Sequence, residues 1–176
     1  MSSPSVEVPP PAPPVGGTAF PDTWRRVVSD PRGFFADMPL AAGLGEPLAF
    51  LAICAAIAGL GTLVVSWSPW VAVGSVFALI VVALLEAAVL TIVAQQLFDG
   101  RAGFEPTCRV VAYGFAPGVF LWVPRLAVIA WLWILFLQVR GVERVHAIDA
   151  TRAVLSVLVA TAATVLVALG LRGGLW

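Results

Sequence analysis

Among the residues that could do chemistry, Glu86 stands apart as the one ionisable side chain well inside a long apolar run, at 70–98. A carboxylate near the centre of a bilayer is costly, so it must face other helices, carry a proton or reach a water-filled cavity. A proton or cation path would need further polar groups at the same depth, and the apolar stretches supply little beyond Thr91, Gln95 and Thr164. Glu86 therefore reads in two ways. It is the site of a small-solute or proton-coupled transporter or permeation subunit, or it is a neutral carboxyl bonded to a neighbouring helix.

His146, with Glu143 and Asp149, forms a second polar group, because a spacing of three residues puts all of them on one side of a helix. One histidine completes neither a metal ligand set nor a catalytic triad. Cys54 and Cys108 lie in or beside apolar stretches with no partner at metal-ligand spacing and read as small apolar fillers. No paired nucleophile and base emerges. The expectation is a protein that is not an enzyme, with no catalytic residues, no cofactor and no metal.

The elements that hold these groups follow from composition. Of 176 residues, 60% are apolar and 11% charged, with a mean hydropathy of +0.99; a soluble domain is roughly one-quarter charged. The formal net charge is zero, which supplies no basic field for nucleic acid. All ten basic side chains are arginine, a bias that points to a GC-rich, bacterial coding sequence. Crossing a hydrocarbon core of about 30 Å takes around 20 helical residues. Counted that way, the spans are 47–66, 70–98, 108–123, 126–139 and 153–171, with 108–139 split at Pro124-Arg125 into a tight hairpin whose rival is a re-entrant pair. The predicted fold class is an all-α membrane protein, a five-helix transmembrane bundle preceded by a short interfacial amphipathic helix.

Residues 1–21 hold seven prolines and read as a disordered tail, with neither the charged start nor the apolar run of a secretory signal. Segment 22–46 is predicted to be interfacial. Asp30 before Pro31 caps a short helix, Phe34 and Phe35 enter the headgroup boundary, and Arg25, Arg26 and Arg32 stay with lipid phosphates. With the N-terminus cytoplasmic, the inner segments hold Arg25, Arg26, Arg32, Arg101, Arg109, Arg140, Arg144 and Arg152, against Arg125 and Arg172 outside. Trp67, Trp70, Trp122 and Trp176 then fall near the outer interface, where indole is favoured, and Trp131 and Trp133 sit deeper as packing residues. The protein is thus expected in the bacterial cytoplasmic (inner) membrane with its C-terminus outside.

Helices in lipid associate by close packing of small residues. Ser156, Ala160, Thr164 and Ala168 recur every four residues and form one such face in the last span, with Val157 and Val165 pointing elsewhere. Gly114 and Gly118 make a GxxxG pair around Pro117, which predicts close approach and a kink.

Three segments carry a family resemblance: DPRGFFADMP ahead of the first span, VAYGFAPGVFLWVP in the third, and GVERVHAIDATRA leading into the fifth. With them the chain, over roughly 30–171, resembles the Yip domain family, named for Ypt-interacting proteins. The resemblance implies a five-span membrane protein with a scaffold or adaptor role, as eukaryotic members are associated with Rab-type GTPases and vesicle traffic. GTPase binding is not carried over, because the chain lacks the longer cytosolic domain with an Asp-Leu-Tyr/Trp-Gly-Pro type motif. The expected partners are the lipid bilayer and other membrane proteins or further copies of the chain.

Overall fold

The computed structural model describes residues 20–173, so most of the proline-rich tail and Trp176 lie outside the described residues. Phe20 and Pro21, read as the end of the tail, already belong to the first helix. The helices are α1 (Phe20–Ser29), α2 (Pro31–Asp37), α3 (Gly45–Ser66), α4 (Pro69–Phe98), α5 (Phe104–Gly114), α6 (Pro124–His146) and α7 (Ala150–Gly173), with a 3-10 segment at Ala116–Phe120 between α5 and α6. Their ends follow local chemistry. Asp30 accepts from the Gly33 N–H at 3.1 Å and Pro31 opens α2. Ser68 caps α4 in the same way ahead of Pro69. Trp67, Asp99 and Ala147 close α3, α4 and α6 in the left-handed conformation at φ of 54°, 58° and 53°.

Four of the helices, α3, α4, α6 and α7, are long and apolar enough to cross a membrane. The chain from 108 to 123 does not form one continuous helix. α5 has 11 residues, the 3-10 segment has five, and at 1.5 and 2.0 Å per residue the two together rise only about 26 Å. Pro117 has no N–H to extend the α-helical ladder, so the chain tightens there instead of kinking. Gly114 and Gly118 consequently do not share a helix face. A Cβ on Gly114 would stand 3.1 Å from Gln138 Cγ on α6, whereas one on Gly118 would meet the Phe115 ring of its own segment. α6 also runs past 139 to His146, through residues expected to form a loop. Its Gly141, Val142, Val145 and His146 are buried while Arg144 is exposed, so this last part is amphipathic helix rather than lipid-facing span.

α5 and α6 lie antiparallel. Thr107 meets His146, Gly141 is where a Cβ would strike Val110, and Gly114 is where one would approach Gln138. Residues 107–119 are buried throughout, enclosed by α1, α2, α3, α4 and α6. Trp24 on α1 donates to the Ala116 carbonyl at 2.8 Å and pins that helix to the 3-10 segment. Trp131 and Trp133 are 44% and 39% exposed, so they face outward from the bundle rather than packing within it.

Candidate functional site

On α4 the small residues Ala83, Ala87 and Ala94 are buried together with Leu90 and Thr91, and this face lets α7 approach closely. α7 answers with Ala153, Ser156, Val157, Ala160 and Thr164, all buried, at helical spacing. The face predicted from Ser156, Ala160 and Thr164 therefore lies inside the bundle. Ala168 is only half-buried, and Val157, expected to point elsewhere, is 1% exposed. The stripe is broader than every fourth residue because three-residue steps fall on the same face.

Glu86 stands at the edge of this contact. Thr161 of α7 donates its hydroxyl to Glu86 Oε1 at 2.8 Å. Gln138 of α6, with no exposed surface, interacts with the same carboxyl, yet neither of its amide atoms has a partner in good hydrogen-bond geometry. One carboxyl, one hydroxyl and one amide thus come from three helices. The hydroxyls of Ser156 and Thr164 are buried without hydrogen-bond partners on the same α7 face. Of the polar groups the sequence singled out, Thr91 bonds its own helix at the Ala87 carbonyl and Gln95 donates to the Ala102 carbonyl. Thr161 was not foreseen. Such a cluster bonds α4 to α7 and sets the Gln138 amide of α6 beside the same carboxyl.

A second polar cluster lies where α5 and α6 begin and end. His146 does not join Glu143 and Asp149. Its Nε2 is 2.9 Å from Thr107 Oγ1, while Glu143 pairs with Arg140 and Asp149 with Arg152. Gly100 is required beside it, because a Cβ there would press on His146 Nδ1 and the Ala94 carbonyl. Arg109, expected among the inner-flank arginines, is 1% exposed and donates Nη1 to the Gly43 carbonyl at 2.5 Å. Glu105 Oε1 accepts from the N–H groups of Ala42 and Gly43 at 3.0 and 2.7 Å. The pair clamps the turn before α3, in which Gly43 takes a φ of 78°. Their spacing of four residues was the available signal, since it puts both on one helix face.

The membrane-surface residues divide. Arg25, Arg26 and Arg32 are exposed, and Arg26 pairs with Asp37 and stands over the Phe34 ring. Phe34 and Phe35 are 2% and 1% exposed, so they do not reach a headgroup region. Phe34 packs edge-on against Tyr113 at 5.0 Å, and Tyr113 also meets Phe50. The apolar side of α2 is spent on the bundle. Among the described residues no group of three or more His, Cys, Asp or Glu is placed to hold a metal ion. Cys54 and Cys108 are free thiols in the interior.

In comparison with known proteins, the family model of the Yip1 domain matches residues 25–171. No curated protein and no solved structure matches the chain.

Proposed function

Because the chain belongs to the Yip1 domain family, as an integral membrane protein of apolar helices, we propose that it is a non-enzymatic scaffold or adaptor working through contacts with other membrane proteins or further copies of itself. The observation that carries this reading is the bond from Thr161 to Glu86. It supports a carboxyl that joins α4 to α7. The bilayer placement belongs to the same proposal: a bacterial cytoplasmic membrane, an N-terminus inside and a C-terminus outside.

Five crossings are part of this reading, and the antiparallel pairing of α5 with α6 supports the parity. If both members of that hairpin cross, the chain has five spans; if both turn back, it has three. Either count leaves the termini on opposite sides, and the buried, short α5 is then the hairpin's inner arm.

One observation favours transport as a second reading, the unpartnered Gln138 amide beside Glu86. Flux separates the two. In vesicles carrying the reconstituted protein, the scaffold reading expects no pH-driven solute or proton flux and no difference between wild type and Glu86→Gln. Proton-coupled flux that is present in the wild type and lost in Glu86→Gln would overturn it.

A further inference from the structure

At the polar end of α6, a cavity of about 420 Å³ opens between α2 and α6, lined by Arg32, Phe35, Ala36, Arg140, Glu143 and Arg144. It gathers three guanidinium groups and one carboxylate, a formal excess of two positive charges. Glu143 takes up only part of Arg140, through Nη1 at 3.1 Å. Arg140 Nε is buried without a partner, and its guanidinium stands 5.2 Å over the Phe136 ring. Arg32 and Arg144 are exposed, and neither takes part in an ion pair among the described residues. Three cations around one cavity form an anion site, and guanidinium forks suit phosphate oxygens.

The surface below the cavity is apolar. Phe136, Trp133 and Ile129 follow Arg140 at steps of four, three and four residues, so they share its face of α6, and they are 36%, 39% and 64% exposed. Trp133 and Ile129 open into a groove of about 410 Å³ whose other wall includes Trp24 and Val28 of α1 and Phe120. From Arg140 to Ile129 the helix rises about 16 Å, close to half of a hydrocarbon core of about 30 Å. A charged head and an apolar track one leaflet deep match one kind of molecule.

We propose that the basic cavity between α2 and α6 binds the phosphate of an anionic phospholipid whose acyl chain lies along α6, past Phe136 and Trp133, into the groove beneath α1. This requires only that the chain sits in a bilayer and holds whether the protein is a scaffold or a transporter. Basic pockets between membrane helices recognise anionic headgroups, and each basic residue contributes to binding near such a surface.

The test uses the full chain in neutral detergent, titrated with short-chain phosphatidylglycerol, short-chain phosphatidylcholine or inorganic phosphate while the unfolding midpoint is followed. Phosphatidylglycerol is expected to raise the midpoint at concentrations where the other two do not. R140Q/R144Q should raise its half-saturating concentration about 30-fold. R125Q, exposed at the opposite end of α6, should leave it unchanged. Where the double variant does not fold, R32Q serves, because its exposed side chain holds no structural ion pair; it should weaken binding about fivefold. Equal potency of inorganic phosphate would make this a free-anion site and overturn the proposal. So would equal potency of phosphatidylcholine, an unchanged R32Q, or an R125Q weakened as much as the cavity variants.

Discussion

Replacing Thr161 by Val keeps its branched shape and removes the donor to Glu86, which tests whether the carboxyl is a structural bond. The bond is 2.8 Å long and crosses from α7 to α4. A side-chain hydrogen bond between membrane helices is worth about 0.6 kcal/mol on average and about 1.7 at most. A half-buried acceptor left unpaired lies towards the upper end, so Thr161→Val should cost about 1–1.7 kcal/mol. At roughly 2–4 °C per kcal/mol for a chain of this size, the unfolding midpoint in detergent should fall by several degrees. Glu86→Leu should cost less, because the Thr161 hydroxyl it strands can turn back to a carbonyl of its own helix. With both replaced, two apolar groups face each other and little is left unsatisfied. The double variant should therefore be more stable than the two single losses added together, with a coupling of about 1 kcal/mol. Glu86→Gln keeps an acceptor for Thr161 and should stay near the wild type. Additive losses, within the roughly 0.3 kcal/mol at which independent sites add, would refute the bond and with it the architectural reading of Glu86.

Four further outcomes are expected. Ala160→Leu overfills a position with no exposed surface and should cost about 1–3 kcal/mol, whereas Val165→Leu, at a position 46% exposed, should change stability by less than about 0.5 kcal/mol; equal thermal losses would remove the case for a packing face. Gly141→Ala places a methyl against the branched Val110 side chain and should destabilise by about 1–3 kcal/mol, with partial rescue by Val110→Ala, while Gly74→Ala meets open space in α4 and should be neutral or stabilising by up to about 1 kcal/mol. Glu105→Ala frees the N–H groups of Ala42 and Gly43 and should speed hydrogen exchange there, read by mass spectrometry against unchanged exchange in α4. Reporter fusions at Gly16, Phe104 and Ala147 should report the cytoplasm and those at Ser68 and Trp176 the far side; a cytoplasmic C-terminus would contradict the proposed orientation.

Long apolar helices were legible because their length and composition state their purpose, and α3 and α4 end within two residues of where hydropathy put them. Segment 108–139 was harder. Hydropathy scores a residue by its liking for lipid, but α5 is apolar because protein surrounds it, and the same apolar letters serve both settings. The end of α6 failed in the opposite sense. Arg140, Glu143 and Arg144 made it read as a loop, yet they occupy the outer side of a helix whose Gly141, Val142 and Val145 are buried. Phe34 and Phe35 show the same ambiguity at short range. An amphipathic helix offers its apolar side equally to a headgroup region and to a neighbouring Tyr113, and nothing local distinguishes them.

The candidate site was half legible for a related reason. A carboxyl in an apolar run announces itself, because its cost is intrinsic to the residue and does not depend on what it meets. Its partner cannot be read that way, since Thr161 is 75 residues distant in sequence and a threonine in a membrane helix is satisfied by its own backbone in the absence of anything better. Arg109 illustrates the same limit, as its acceptor is the Gly43 carbonyl 66 residues away. In a bundle where lipid is as apolar as leucine, apolar surface does not choose neighbours. Choice falls to the close packing of small residues, as between α4 and α7, and to a few directional contacts: Glu86 with Thr161, Thr107 with His146, Trp24 with the Ala116 carbonyl, and Glu105 and Arg109 with the turn before α3. Each joins elements far apart in the chain, so these contacts fix how the helices are arranged while hydropathy fixes only that they are helices. A single substitution among them should therefore disturb helix arrangement more than helix content, which circular dichroism and the unfolding midpoint would separate.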